Sequence, residues 1–432
     1  MKKEQNDEIK IEGRLDASFS KNFHEIELDV PAFTSRLEIF FDYSPRAIAG
    51  VDNHLNLLIY DSLGHFVGRY DRGTEKFVIS PDDPSPCAEK TLPLPGRWRF
   101  LLESHSLSSS VAYKIDVRVS GSEEYFWKRG ELHTHSIHSD GVMSVSELSD
   151  YLHTLGVDFF FLTDHSNTTG WRDLSSLRGA TGFPGEELNT FKGHGLVLGA
   201  KVFIDWKEAD LKQTSPVDIY ELVRKTGGLF GVAHPFIPGD PLCVGCEWKY
   251  DVSPFNFDFV EVWSQFPKDF SLLNYRTLFL WLENLRKGNK VTGVAGSDLH
   301  TPRDEDKEAL RTEVKVRSVS LSEILYGIKN GMVCLNNGTL KSFKINGIEA
   351  GETVCCRDNV RVRIETERMK KVELIMFSKK EIFHVEPTPE AEFELSLDSF
   401  EAEDFLLLWI KDTHARTLAL TNPIFLKREE RE

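Results

Sequence analysis

"SVSELSDYLHTLGVDFFFLTDH", residues 144–165, decides the fold class. Ser144 and Glu147 stand at the two positions of a capping box, and Val145, Leu148, Leu152 and Leu155 fall on one face at helical spacing. Gly156 suits the residue just past a helix end. The strand-like "DFFFLTD" follows at once. The same rhythm recurs downstream: "SPVDIYELVRKTGG" (215–228) reads as a helix, followed by "LFGVAHP" (229–235), "FDFVEVWS" (257–264), a helix over 271–287 and "VTGVAGSD" (291–298). Strands that alternate with helices imply a parallel sheet, closed as a barrel or open.

Outward from this segment the rhythm changes on both sides. Before it, "HEIELDVP", "RLEIFFDY", "LNLLIYDS", "RWRFLLES" and "AYKIDVRVS" are short, alternating or apolar, and separated by Gly, Pro, Asp and Ser. That pattern suits an antiparallel β-sandwich. After it, "LKSFKING", "VRVRIET", "KVELIMFS", "FELSLDS", "DFLLLWIKD" and "TLALTNPIFL" suit a second one. The expected organisation is therefore an α/β chain with a β-sandwich over 1–127, a barrel over 128–338 and a second β-sandwich over 339–432.

A chain of 432 residues is too long for one ordinary core, in keeping with several domains. Its net charge of -16 argues against sequence-independent binding to a nucleic-acid polymer, whose backbone needs clustered Lys and Arg. Small anionic substrates stay open, because bound cations dominate the local field. The start "MKKEQNDEIKIEG" lacks the apolar run of a signal peptide, and no stretch approaches a membrane span. Six cysteines in this length make no disulfide framework, so the expected compartment is cytoplasmic. Cys243 and Cys246 form a lone CxxC without a second pair at zinc-site spacing, which reads as free thiols in a loop.

The chemistry-bearing residues sit at predicted strand ends, where barrel enzymes carry their sites. His133, His135 and Asp140 follow the first strand of the middle region; Asp164 and His165 end "FFFLTDH"; Glu187 lies in "TGFPGEEL"; His194 opens "HGLVLGA"; His234 ends "LFGVAHP"; Asp298 and His300 end "VTGVAGSDLH". Each is unremarkable alone, since an HxH is more often two exposed imidazoles and an Asp after Gly-Ser is ordinarily a turn. Jointly they make a set of imidazoles and carboxylates that suits Zn, Mn or Fe, and the absence of thiolates disfavours a closed structural zinc site.

With "LHTHSIHSDG", "LTDHS", "PGEEL", "GHGLVLG", "VAHPF" and "AGSDLH" in that order, the chain from about 130 to 335 resembles the PHP (polymerase and histidinol phosphatase) superfamily. The flanking strands, with "LALTNPIFL" (418–426), resemble the branch typified by carbaryl hydrolase. The resemblance implies a distorted (βα)7 barrel holding two or three divalent metal ions. His133, His135, Glu187 and Asp298 would hold the first, Glu187, His194 and His234 the second, and Asp140, His165 and His300 the third. The pattern PGxE selects Glu187 and leaves Glu186 as the variable position. Glu131 departs from the Asp that opens many relatives, and would support a ligand from behind. His138 matches no signature position and reads as a loop residue; His153 reads as solvent-facing.

The implied reaction is hydrolysis by a hydroxide held between metals, with a small phosphate ester or nucleotide as substrate and Asp298 or Asp164 managing the proton. Asp164 could equally orient an imidazole. Arg172 and Arg303, each just after a ligand segment, would bind the phosphate. Trp171 and Trp263 read as core residues rather than a substrate wall. Carbamate or amide hydrolysis is the alternative on the same centre, and a non-catalytic metal-containing scaffold is a third reading. A homo-oligomer is compatible with all three.

Overall fold

The computed structural model describes residues 5–71, 73–121, 124–211, 215–265, 271–367 and 372–429. The chain divides into two compact units, Met1–Tyr125 and Phe126–Glu432. The first limit lies two residues from the expected one; the expected boundary at 338/339 falls inside the second unit.

In the first unit two four-stranded antiparallel sheets share one core. One sheet has the order Gln5–Leu15, Val111–Gly121, Thr34–Ser44, Phe77–Ile79; the other Asn22–Val30, Gly96–Ser106, His54–Tyr60, Phe66–Tyr70. Strict alternation makes the shared core. In Val111–Gly121 the residues Val111, Tyr113, Ile115, Val117 and Val119 are buried, while Ala112, Lys114 and Arg118 face water.

The second unit is a mixed, strand-rich α/β body. Phe126–Glu131 pairs in parallel with Phe159–Leu162, and that strand with Thr181–Thr190. Between the first two lies the helix Val145–Thr154, where Ser144 and Glu147 form both bonds of the expected capping box and Gly156 adopts a left-handed φ of 72°. All four residues of Phe159–Leu162 are buried, as a strand covered on both faces requires. The sheet continues through Leu229–Val232, Phe259–Ser264 and Thr292–Gly296 in parallel.

Two connections break the expected strand–helix alternation. Thr181–Thr190 turns directly into Gly193–Leu198 as an antiparallel hairpin, and Gly193–Leu198 pairs antiparallel with Leu229–Val232. Two linking residues are too few for a parallel crossover. The link from Phe159–Leu162 to Thr181–Thr190 carries only a 3-10 turn, Thr169–Ser176.

The two ends of this run approach each other at the site. Beyond Thr292–Gly296 the chain bridges in parallel to the segment after Phe126–Glu131: His135 N–H donates to Leu299 O at 3.0 Å and Leu299 N–H to His133 O at 3.2 Å. On its other edge Phe126–Glu131 pairs antiparallel with Arg311–Val316, which pairs with Val333–Asn336, which pairs with Thr417–Thr421. The carboxy-terminal strands therefore extend the same hydrogen-bonded sheet, and they share a core with the small sheet of Leu340–Ile345, Val360–Thr366 and Glu390–Leu395. Asn422 clamps this junction: its amide donates to Gly293 O at 2.7 Å and to Val333 O at 3.2 Å, and its side-chain oxygen accepts from Gly293 N–H at 2.9 Å. Among the described residues no helix is long and apolar enough to cross a membrane.

Candidate metal centre

Glu187 is the hub. It is fully buried on Thr181–Thr190, and five imidazoles face its carboxylate. Oε2 lies 2.7 Å from His165 Nδ1, 3.3 Å from His133 Nε2 and 3.5 Å from His135 Nε2. Oε1 lies 3.0 Å from His194 Nδ1 and 3.3 Å from His234 Nε2. Asp298 closes the other side, with Oδ1 at 2.9 Å from His135 Nε2 and 3.3 Å from His133 Nε2. Asp140 Oδ1 lies 3.1 Å from His300 Nε2 and 3.4 Å from His165 Nε2. All nine ligand-competent residues named from the sequence thus converge.

Backbone conformation aims them. His234 (φ 25°) and Asp298 (φ 48°) adopt left-handed backbone angles that side chains other than glycine rarely take, so each strand end is bent sharply toward the centre.

Electrostatics follow from this packing. Burial by itself would raise the Glu187 pKa, but the surrounding imidazoles hold it well below the ordinary carboxylate value. Asp298 is likewise held low against its burial by His133 and His135. Burial would lower His133, yet Glu187, Asp298 and Glu261 raise it well above its usual value; His165 is raised to about 9, chiefly by Glu187.

The donor set fits a divalent cation. His133 Nε2, His135 Nε2, Glu187 Oε2 and Asp298 Oδ1 are buried without a hydrogen-bond partner, and these four residues offer ligand atoms within 4.8 Å of one another. Buried polar atoms left in such a state are costly unless something binds them. His135, Asp140, His165 and His300 form a second such group.

Several supporting residues are placed by the fold. Glu131 Oε1 accepts from His133 N–H at 3.2 Å and from Ser297 N–H at 2.9 Å, and its other oxygen pairs with the buried Arg311. Asp164 is engaged by serines: Oδ1 accepts from Ser136 N–H (2.7 Å) and Ser139 Oγ (2.8 Å), Oδ2 from Ser136 Oγ (2.8 Å). It fixes the loop after His135. Glu186 points elsewhere and accepts from Ile204 N–H at 3.1 Å; burial raises its pKa to about 8.

The two arginines expected to bind phosphate are engaged differently. Arg172 is exposed and 3.9 Å from Asp173. Arg303 reaches Asp306 at 3.2 Å and donates to Ser297 O at 3.0 Å. His138 bonds to Thr169 and Asp173, and His153 is exposed. Trp171 donates to Gly185 O, and Trp263 is buried edge-to-face with Tyr275.

Two residues at the centre were not assigned to it from the sequence. Glu261 is fully buried; its Oε2 accepts from His234 N–H at 2.8 Å and lies 3.4 Å from His133 Nδ1. Its signal was a carboxylate inside an otherwise apolar strand, "FDFVEVWS". Gly296 makes room for it, since a Cβ there would collide with Glu261 Oε1 and His133 Cβ. Cys246 is buried, with Sγ 3.9 Å from His194 Nδ1. It is joined to Cys243 in a disulfide, which corrects the expectation of two free thiols.

No protein-family model matches the sequence, and no curated protein sequence resembles it. Among solved structures, a two-domain protein from Bacteroides vulgatus is similar over 69% of this chain and 96% of its own, at 15% identity and TM-score 0.37. It is described as containing a PHP-like metal-dependent phosphoesterase assigned by prediction. An amidohydrolase from Chromobacterium violaceum, with bound sulfate and no metal, matches 41% of this chain and 89% of its own at 16% identity and TM-score 0.29. A candidate metal-dependent phosphoesterase from Bifidobacterium adolescentis matches 40% and 87% at 17% identity and TM-score 0.28. Likenesses this distant carry no weight beside the geometry of the site.

Proposed function

We propose that this chain is a metal-dependent hydrolase of the PHP type, with a distorted (βα)7 barrel between β-sandwiches, acting on a small phosphate ester. The observation that carries the reading is the convergence of five imidazoles on the buried Glu187, beside partnerless donor atoms of His133, His135 and Asp298. A purely structural ion needs a closed set of about four ligands, and a cluster of nine ligand-competent residues, Glu187 among them, exceeds that.

His133, His135, Glu187 and Asp298 would hold one cation; Glu187, His194 and His234 a second; Asp140, His165 and His300 a third. Divalent Zn, Mn or Fe held there would supply an activated water and stabilise charge developing on the ester oxygens. Asp298 would be the residue placed to take up a proton from the attacking water. Asp164 keeps the 136–139 loop in place, and Glu131 holds the His133 and Asp298 segments together from behind.

Carbamate or amide hydrolysis is the second reading, favoured by one observation. Arg303 is committed to Asp306 and Ser297, and Arg172 points to solvent, so the cations would have to recognise a phosphate themselves.

The test is turnover by metal-loaded protein on p-nitrophenyl phosphate beside carbamate and amide panels. Phosphatase activity that falls to background in His133→Ala and Glu187→Ala supports the first reading. Turnover confined to carbamates or amides supports the second. Metal bound without turnover of any panel overturns both.

A further inference from the structure

The loop Pro241–Trp248 lies directly over His194. Val244 O accepts from His194 Nε2 at 3.1 Å. A neutral imidazole that donates from Nε2 presents a lone pair at Nδ1, and that atom faces Glu187 Oε1 at 3.0 Å and Cys246 Sγ at 3.9 Å. Gly245, at φ 74°, permits this approach, because a Cβ there would run into Thr190 O. Trp248 N–H donates to Pro235 O at 3.1 Å, so the loop is also tied to the residue after His234. His194, His234 and Cys246 are all buried and offer ligand atoms within 4.8 Å of one another.

We propose that the reduced Cys246 thiolate is a ligand of the cation held by Glu187, His194 and His234, so that this position takes a softer metal, zinc in preference to manganese or magnesium. The inference rests on the metal-centre reading above and adds a sulfur donor to an otherwise nitrogen–oxygen set. Thiolate donors select zinc over the hard divalent cations.

The Cys243–Cys246 disulfide is the competing state of the same sulfur, since a disulfide sulfur is not a thiolate. Cys243 is half-buried and Val244 exposed, so a small disulfide oxidant can reach the pair. The Cys243 thiolate attacks one oxidant sulfur and expels a thiol. The Cys246 sulfur then attacks Cys243 in the mixed disulfide and expels the second thiol. Two protein thiols become one disulfide and one oxidant disulfide becomes two thiols.

Cobalt(II) loaded into the reduced full-length protein reads the ligand directly. The expected result is a near-ultraviolet thiolate-to-cobalt charge-transfer band alongside the visible d–d bands. That band is lost in Cys246→Ser and after oxidation by a disulfide, and kept in reduced Cys243→Ser. Comparing reduced with oxidised wild type gives the same answer should Cys246→Ser fail to fold. Visible cobalt bands without the charge-transfer band in reduced wild type overturn the thiolate ligand and leave the metal centre standing. Absence of any cobalt bands in reduced wild type overturns both.

Discussion

Two glutamates of the second unit, the buried Glu187 and the half-buried Glu313, meet desolvation with opposite outcomes. Glu187 is sealed among five imidazoles and is held ionised. Glu313, on the strand beside Phe126–Glu131, faces the Asn336 amide at 3.0 Å; burial there raises its pKa, only partly opposed by that amide. Desolvation pushes both upward, and the neighbours decide which form survives. A carboxylate kept charged in a dry site marks a place built for positive charge, while Glu313 is an ordinary half-buried acid.

The largest expected effect comes from the support beneath the centre. Glu131 and Arg311 are each 1% exposed and pair with each other while Glu131 also holds His133 and Ser297. Removing one partner strands a buried charge, so Arg311→Ala should cost about 3–5 kcal/mol in denaturant unfolding. A loss below about 1 kcal/mol would mean the pair is solvated and the centre stands without it.

Next comes Glu261, which orients His133 from its far nitrogen. Glu261→Gln should weaken the first cation by about 10–100-fold in competition with a chelator, with folding unchanged. Unchanged affinity would make Glu261 packing alone. Asp140→Asn tests the open end of the site, where Asp140 and His165 reach solvent. Metal content should drop by one equivalent per chain, read by elemental analysis, while the equivalents held by the buried ligands persist.

The smallest effect belongs to Glu313. Its folded pKa lies above its unfolded one, so the stability it contributes is complete below the ordinary glutamate pKa and lost as pH rises through the folded value. Glu313→Gln should therefore raise the melting temperature by a few degrees near neutral pH and leave it unchanged near pH 3–4. A gain at acidic pH would remove the contrast with Glu187.

Much of this was legible in sequence because local chemistry wrote it. The capping box at Ser144, the strand Phe159–Leu162 and the strand-end positions of His133, His135, His165, His234 and Asp298 are set by neighbours a few residues away. The hairpin at 190–193 was hidden because its strands read like any buried β run, and register is a long-range property. Arg311 and Glu131 lie 180 residues apart, and Cys246 meets His194 only through a loop whose path periodicity does not encode. The partners of Asp164 were hidden for a related reason: its place beside His165 in sequence does not reveal that the fold sets its carboxylate on Ser136 and Ser139.

The Asn422 clamp has a consequence in time as well as space. The strand that delivers Asp298 is hydrogen-bonded at Gly293 by a residue 129 positions later. A nascent chain thus exposes its histidines and carboxylates to the cell's metal ions long before the clamp emerges from the ribosome. The centre acquires its final grip on Asp298 only once that later segment has been made.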